Sequence, residues 1–244
     1  DTGWALTAEI GGQTERAGAG PARRPAIAWV RSRPDAAVLM IGGRNLEPSG
    51  GPAARVSITV AGRPLDSFVV PPGYFFETRT LPAGILEGSD AYIPLAVTAQ
   101  SLDSRAVRVS LEQFDLQSGD VPMVGLENGW HEPEYDPILG WSWRWMSNDA
   151  TLWIHPRGRD ITLKLSGESP LKYFDDPPSV VISVDSLTVA EFAPATDFTR
   201  EVHLPAALLA AGNGRVQIRS SQSFVPGNGD ARTLALRVFS VDVN

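Results

Sequence analysis

The chain has no cysteine. A disulfide framework, Cys-ligated zinc and thiol chemistry are therefore excluded. The compartment stays open, because an extracytoplasmic domain without disulfides is as ordinary as a cytoplasmic one. Clusters of positive charge are missing too. Lys and Arg number 21 against 28 Asp and Glu, a formal net charge of −7, and only Arg23 and Arg24 are adjacent. Phosphate binding needs grouped cations, so no nucleic-acid partner is expected. No apolar run approaches the ~20 residues that cross a bilayer, so no membrane span is expected. Histidine is scarce: His131, His155 and His203 are the whole set, and none has metal-ligand spacing to another. With no phosphate loop, dinucleotide fingerprint or nucleophile elbow either, neither metal nor cofactor is expected. Asp1 opens the chain without an initiator Met or a signal-peptide pattern, as a processed or excised piece of a longer protein would.

What the chain has in quantity is turn-forming residues, 23 Gly and 20 Pro. They separate short runs that alternate apolar and polar residues with period two. "ARVSITVAG", "AVRVSLEQF", "ITLKLSG", "SVVISVDS", "RVQIRSS" and "LALRVFSVDV" are the clearest. Alternation with β-branched enrichment predicts antiparallel strands wet on one face. Only "LPAGIL" and "LPAALLAAG" look helical. Pro opens each and Gly limits it, so each reads as one short turn.

The sequence also repeats itself. "GW" occurs at Gly3-Trp4 and at Gly129-Trp130. "WVRSRPDAAVLMI" from Trp29 lines up with "WRWMSNDATLWI" from Trp143, and "VSITVAGRPLDSF" from Val56 with "VISVDSLTVAEF" around Val180. "LPAGIL" at Leu81 answers "LPAALL" at Leu204, and "DSRAVRVSLEQFDL" from Asp103 answers "DARTLALRVFSVDV" from Asp230. The matches keep their order. They predict an all-β chain of two tandem antiparallel β-sandwich, jelly-roll-like domains related by internal duplication, residues 1–119 and 120–244, joined near Ser118-Gly119-Asp120.

The duplication lets one copy interpret the other. A position apolar in both reads as scaffold, and a polar or aromatic group found in one copy only is free for function. Five of the seven tryptophans lie between Gly129 and Ile154. In "WSWRWM", Trp141, Trp143 and Trp145 share one face of a strand. Aligned with Ile27, Trp29 and Leu39, the residues Trp141, Trp143 and Trp153 are expected in the core, and Trp130, aligned with Trp4, is expected to be structural. Trp145 aligns with Arg31 and is expected where the shared face meets solvent. The segment "HEPEYD" and the loop "KYFDDPP" are likewise specific to copy two.

Flat rings beside carboxylates suit a sugar, whose C–H faces stack on rings while its hydroxyls bond to polar side chains. The expected ligand-binding set is His131, Glu132, Glu134, Tyr135, Trp145 and Tyr173. No catalytic residue is assigned, although Glu132 and Glu134 could be imagined as a carboxylate pair for glycoside hydrolysis. Asp230 and Arg232 read as a pair that locks a turn. Three functions remain: a non-catalytic carbohydrate-binding pair, a structural or protein-interaction pair with no glycan site, and a glycan-active enzyme.

"GWHEPE…WRWMSNDATLWI", followed by "F…REVHLP" and "SFVPGNGDARTLALRVFSVDV", resembles β-sandwich modules appended to bacterial membrane glycosyltransferases and other cell-envelope polysaccharide proteins. The likeness covers copy two from Gly129 to Val243 and is looser over copy one, where "PLAVTAQSLDSRAV" lacks the Phe-x-Pro; Leu234-Ala235 stands where those modules usually have Leu-Gly. The resemblance implies a jelly-roll or galactose-binding-like sandwich outside the cytoplasmic membrane, in the periplasm or cell envelope. It also implies an accessory role, with a glycan or polysaccharide and the rest of a membrane glycosyltransferase as partners. It carries over no catalytic residue.

Overall fold

The computed structural model describes residues 25–103, 107–136, 138–155 and 158–244. Gly3-Trp4, Arg23-Arg24 and Arg105 of the sequence comparison lie outside the described residues. The chain divides into two compact units, residues 1–119 and 120–244.

Among the described residues, unit one has seven strands: β1 (Ala26–Arg31), β2 (Ala37–Asn45), β3 (Ala54–Val60), β4 (Arg63–Val70), β5 (Gly73–Leu81), β6 (Tyr92–Ser101) and β7 (Val109–Ser118). They form two antiparallel sheets, ordered β1-β6-β3-β4 and β5-β2-β7. The chain crosses between sheets at every link except β3–β4, the wrapped path of a jelly roll. Alternate residues of each sheet, such as Val56, Ile58, Leu95 and Val97 from one and Leu39, Ile41 and Leu111 from the other, fill a common core.

Unit two repeats that plan and adds to it. Strands β11 (Asp149–Ile154), β12 (Ile161–Glu168), β13 (Val180–Val184), β14 (Leu187–Phe192), β15 (Asp197–Leu204), β16 (Arg215–Ser220) and β17 (Arg237–Val243) take the places of β1 to β7 in order. Three more strands precede them: β8 (Val124–Leu126), β9 (Trp130–Asp136) and β10 (Trp141–Met146). The sheets become β14-β13-β16-β11-β8 and β15-β12-β17-β10-β9. A short helix, α1 (Ala206–Ala211), begins after Pro205 and ends at Gly212, as the punctuation of its sequence predicts.

Irregularities repeat as faithfully as the strands. The β3–β4 and β13–β14 hairpins both turn on two positive-φ residues, Ala61-Gly62 and Asp185-Ser186. Each has a bulge at the same place, after Ile58 and after Ile182. The other sheet carries a second shared bulge, with the extra residue Glu112 on β7 facing Gly42-Gly43 in unit one and Phe239 on β17 facing Ser166-Gly167 in unit two. A Cβ on Gly43 would lie 2.0 Å from the carbonyl oxygen of Ser110, and one on Gly167 would lie 2.6 Å from that of Arg237. Both bulges bring the facing backbone too close for any side chain.

The register corrects one alignment. Val97 pairs with both Ile58 and Ala26, as Ile218 pairs with both Ile182 and Ala150. Trp29 therefore corresponds to Trp153 and not to Trp143, which belongs to the preceding strand. The tryptophan face of β10 is consequently not the core face. Met146 is the fully buried member of "WSWRWM", Trp141 is 56% exposed, and Trp143 is only half-buried. Period two says which side chains share a face, not which face turns inward. Trp130 and Trp153 are buried as expected, whereas Trp29 is 55% exposed.

Candidate functional site

The β9–β10 ribbon extends the second sheet of unit two past β17, and it carries most of the side chains singled out by the sequence. Trp143 lies opposite Glu134 on β9, and Trp145 opposite Arg237 on β17. The outer face of β10 thus runs Trp141, Trp143, Trp145. A bulge opposite Trp145 lets Trp130 turn inward and pair with Met146.

Polar groups on this face are tied to a neighbouring loop. Glu134 accepts a hydrogen bond from Trp143 Nε1 at 3.0 Å and another from Arg232 Nη1 at 2.8 Å. Arg232 also grips Asp230, with Nε 3.0 Å from Oδ1 and Nη2 2.7 Å from Oδ2. The hydrogen bonds from Arg232 hold the Asp230 carboxyl at about 2, well below its ordinary value. The Arg232 guanidinium is raised in return, chiefly by Asp230 and against the effect of burial. The loop that presents this pair has three consecutive positive-φ residues, Gly227, Asn228 and Gly229, and is closed by bridges from Gly227 to Asp230 and from Phe224 to Leu234. His131 adds a stitch, with Nε2 at 2.8 Å donating to the carbonyl of Thr233, while Arg144 donates to the His131 carbonyl at 3.1 Å.

Rings form a second group. Phe224 stacks on Tyr173 with centroids 3.8 Å apart and meets Trp145 edge-on at 5.8 Å. Phe174 touches the same ring at 6.0 Å. Farther along β10, Trp141 meets Phe239 edge-on at 6.2 Å. The Arg237 guanidinium lies 5.1 Å from the Trp143 ring and 5.2 Å from Phe239, and it is paired with Glu168.

The structure therefore joins some of the expected residues and separates others. His131 and Glu134 meet through the 230–233 loop. Trp145 and Tyr173 meet through Phe224, which the sequence comparison passed over. Tyr135 lies opposite Ser142, on the other face of β9 from Glu134. Glu132 is half-buried on β9. The turn-locking reading of Asp230 and Arg232 describes their contact, but the reach of Arg232 to Glu134, far away in sequence, had no signal. Trp141, Phe239 and Arg237 were missed because the tryptophan face was assigned to the core.

Trp141 offers an exposed indole on β10, opposite Asp136 of β9, whose Oδ1 accepts from the backbone N–H groups of Ile138 and Leu139. Glu134, held by two donors, is fixed as an acceptor. Among the described residues no group of three or more His, Asp or Glu is placed to hold a metal ion, and no helix is long and apolar enough to cross a membrane.

The chain matches no known protein family and no curated protein. Among solved structures it is similar to the N-terminal CBM22-1–CBM22-2 tandem domain of Paenibacillus barcinonensis Xyn10C, with TM-score 0.31, 11% identity, and coverage of 99% of this chain and 90% of that one. It is also similar to the M60 catalytic domain with the CBM51-1 and CBM51-2 domains of Clostridium perfringens ZmpB, with TM-score 0.28, 8% identity, and coverage of 95% of this chain and 34% of that one. At these values neither likeness carries a residue or a ligand across to this chain.

Proposed function

We propose that the chain is a non-catalytic carbohydrate-binding pair of modules, accessory to a larger cell-envelope glycan enzyme and working outside the cytoplasmic membrane. The observation that carries this reading is Trp141, a large ring 56% exposed on the outer face of a sheet and edge-on against Phe239. A ring held this way can take the C–H face of a sugar with little ordering cost. Covering one ring face removes roughly 50 Å² from water, about 1–1.5 kcal/mol, and a few hydrogen bonds add about 1 kcal/mol each. After the cost of association, affinity falls nearer millimolar than nanomolar. In this reading Glu134 shares the outer face with the ring, His131, Trp145 and Tyr173 hold the ribbon and its neighbouring loops in place, Glu132 lies on β9, and Tyr135, on the opposite face of β9, is not a contact. The test is calorimetric titration of the full chain and of Trp141→Ala with soluble envelope oligosaccharides. Binding that weakens about tenfold in a normally folded variant supports the reading, and equal binding by both proteins refutes it.

The structural alternative is favoured by a different observation. Trp145 and Tyr173 pack on Phe224, and Glu134 is satisfied by Arg232 and Trp143, so several of the expected contact residues hold the domain itself together. Absence of binding to every glycan, with Trp141→Ala impairing attachment of the chain to its parent enzyme, would favour that alternative.

A further inference from the structure

A second set of exposed rings lies in unit one, in a cavity of about 400 Å³. Trp29 on β1 and Tyr92 on β6 are 55% and 57% exposed. Trp29 pairs with Pro94 and Arg31 with Tyr92, so the two rings are diagonal neighbours on the outer face of the sheet. Arg63, Glu87, Ser89 and Asp90 are polar residues of its lining.

The walls are built in advance. On one side the β3–β4 turn is pinned by the Ala61 N–H donating to Pro94 O at 2.8 Å. On the other, the 82–91 loop is clamped along the end of β1. Ser32 N–H donates to Ala91 O at 2.9 Å, Arg33 N–H to Leu86 O at 3.0 Å, and Gly84 N–H to Pro34 O at 2.8 Å. Gly88 N–H donates to Ser32 Oγ at 3.0 Å, and a Cβ on Gly88 would collide with Ile93 at 2.7 Å. A ligand therefore meets a formed cleft rather than one it must order.

Unit two supplies an internal comparison. Its hollow at the corresponding turn is lined by Asp185, Ser186, Asn213, Arg215 and Gln217, with no ring. Trp153, the counterpart of Trp29, is 8% exposed, paired opposite Gly125 of β8 and in ring contact with His155 at 5.7 Å. The shared fold thus does not require rings exposed to this degree at this place.

We propose that the Trp29–Tyr92 cavity is a sugar-binding site of unit one, separate from the Trp141 face, and that it takes a neutral pyranose of an oligosaccharide. Two rings at a diagonal offer stacking for one or two sugar faces, and Glu87, Asp90 and Arg63 offer acceptors and donors for hydroxyls. Within the lining two carboxylates stand against one guanidinium, with Arg31 on the same face opposite Tyr92 but outside the lining, and this balance disfavours a uronic acid or a sulfated sugar in the cavity itself. This inference rests on the reading of the chain as a carbohydrate binder, and it adds a location and a charge preference.

The test is NMR of the full 15N-labelled chain, following the tryptophan indole N–H signals, with Trp29 and Trp141 assigned by single replacement with Phe. The probes are cello-, xylo- and N-acetylglucosamine oligosaccharides, with an oligogalacturonate as the acidic control. A saturable shift of the Trp29 signal is expected with at least one neutral oligosaccharide, and a weaker response with the acidic one. Tyr92→Ala should weaken that response about tenfold with the remaining spectrum unchanged, and Trp141→Ala should leave it intact. Silence of Trp29 while Trp141 responds would overturn the cavity alone. A response of Trp29 with Trp141 silent would support the cavity and remove the unit-two face. Silence of both would overturn both.

Discussion

Replacing Gly43 and Gly167 by alanine separates steric need from conformational need at the shared bulge. Neither residue has a positive φ, so the backbone there is open to any amino acid. The obstacle is the facing strand. In Gly43→Ala the new Cβ would lie 2.0 Å from a backbone oxygen, and in Gly167→Ala it would lie 2.6 Å from one and 3.0 Å from the Phe198 ring. Van der Waals contact needs more than 3 Å, so β7 must retreat by about 1 Å in the first case and β17 by about half that in the second. Overpacking of this kind costs about 1–3 kcal/mol, and removing a strand glycine returns about 0.5–1 kcal/mol. Taken together, we expect Gly43→Ala to cost about 2 kcal/mol and Gly167→Ala about 1 kcal/mol. Gly62→Ala is the contrast. It has open space around it but φ of +76°, and it should cost about 1 kcal/mol from conformation alone. Urea unfolding gives the magnitudes, and hydrogen exchange read by mass spectrometry assigns each loss to the mutated unit. Losses under about 0.5 kcal/mol for both bulge variants, or a larger loss at Gly167 than at Gly43, would refute the steric account.

Two further outcomes follow from the unit-two ribbon. Phe224→Ala removes the ring that joins Tyr173 to Trp145, and aromatic pairs contribute about 0.5–1.5 kcal/mol each, so thermal unfolding should show a loss of about 2 kcal/mol; an unchanged midpoint would show that the three rings do not depend on one another. The Asp230 carboxyl has a lowered pKa in the folded state, so its contribution to stability is present above its unfolded value near 4 and is lost as pH falls through about 2. The carboxyl 13C signal of Asp230 should titrate near 2 in the native chain and near the ordinary value in Arg232→Ala; a normal titration in the unaltered protein would remove the ion pair.

Much of the fold was legible because period-two alternation and turn residues are local signals. The β13–β14 hairpin could be located from "VVISVDSLTVAEF" alone, and its partner in unit one from "VSITVAGRPLDSF". The tryptophan strand was not legible in the same way. "WVRSRP" and "WSWRWM" share a Trp and an Arg, but β1 corresponds to β11, and β10 belongs to a ribbon with no counterpart among the described residues of unit one. Aligning β1 with β10 turned the outer face of β10 inward. The candidate site suffered a further loss. Phe224 and Arg232 lie far from Trp145 and Glu134 in sequence, and only the closed loop between Gly227 and Asp230 returns them to the ribbon. No periodicity reports contacts of that range.

The position of β9 at the border of its sheet has a consequence for how the molecule behaves among its own copies. A bordering strand with free amides is a template for another chain, and long apolar borders seed aggregates. Along β9 the sequence is "WHEPEYD". Pro133 offers no amide hydrogen at its centre, and Glu132, Glu134 and Asp136 would face the like charges of any identical strand laid beside them. Fibril-like growth through this border is therefore blocked at the ribbon itself. An exchange of Pro133 for valine, with the carboxylates neutralised, would open a sticky seam. At high local concentration the chain can then crowd without polymerising through this seam, and anything that docks here must come to the broad side of the sheet.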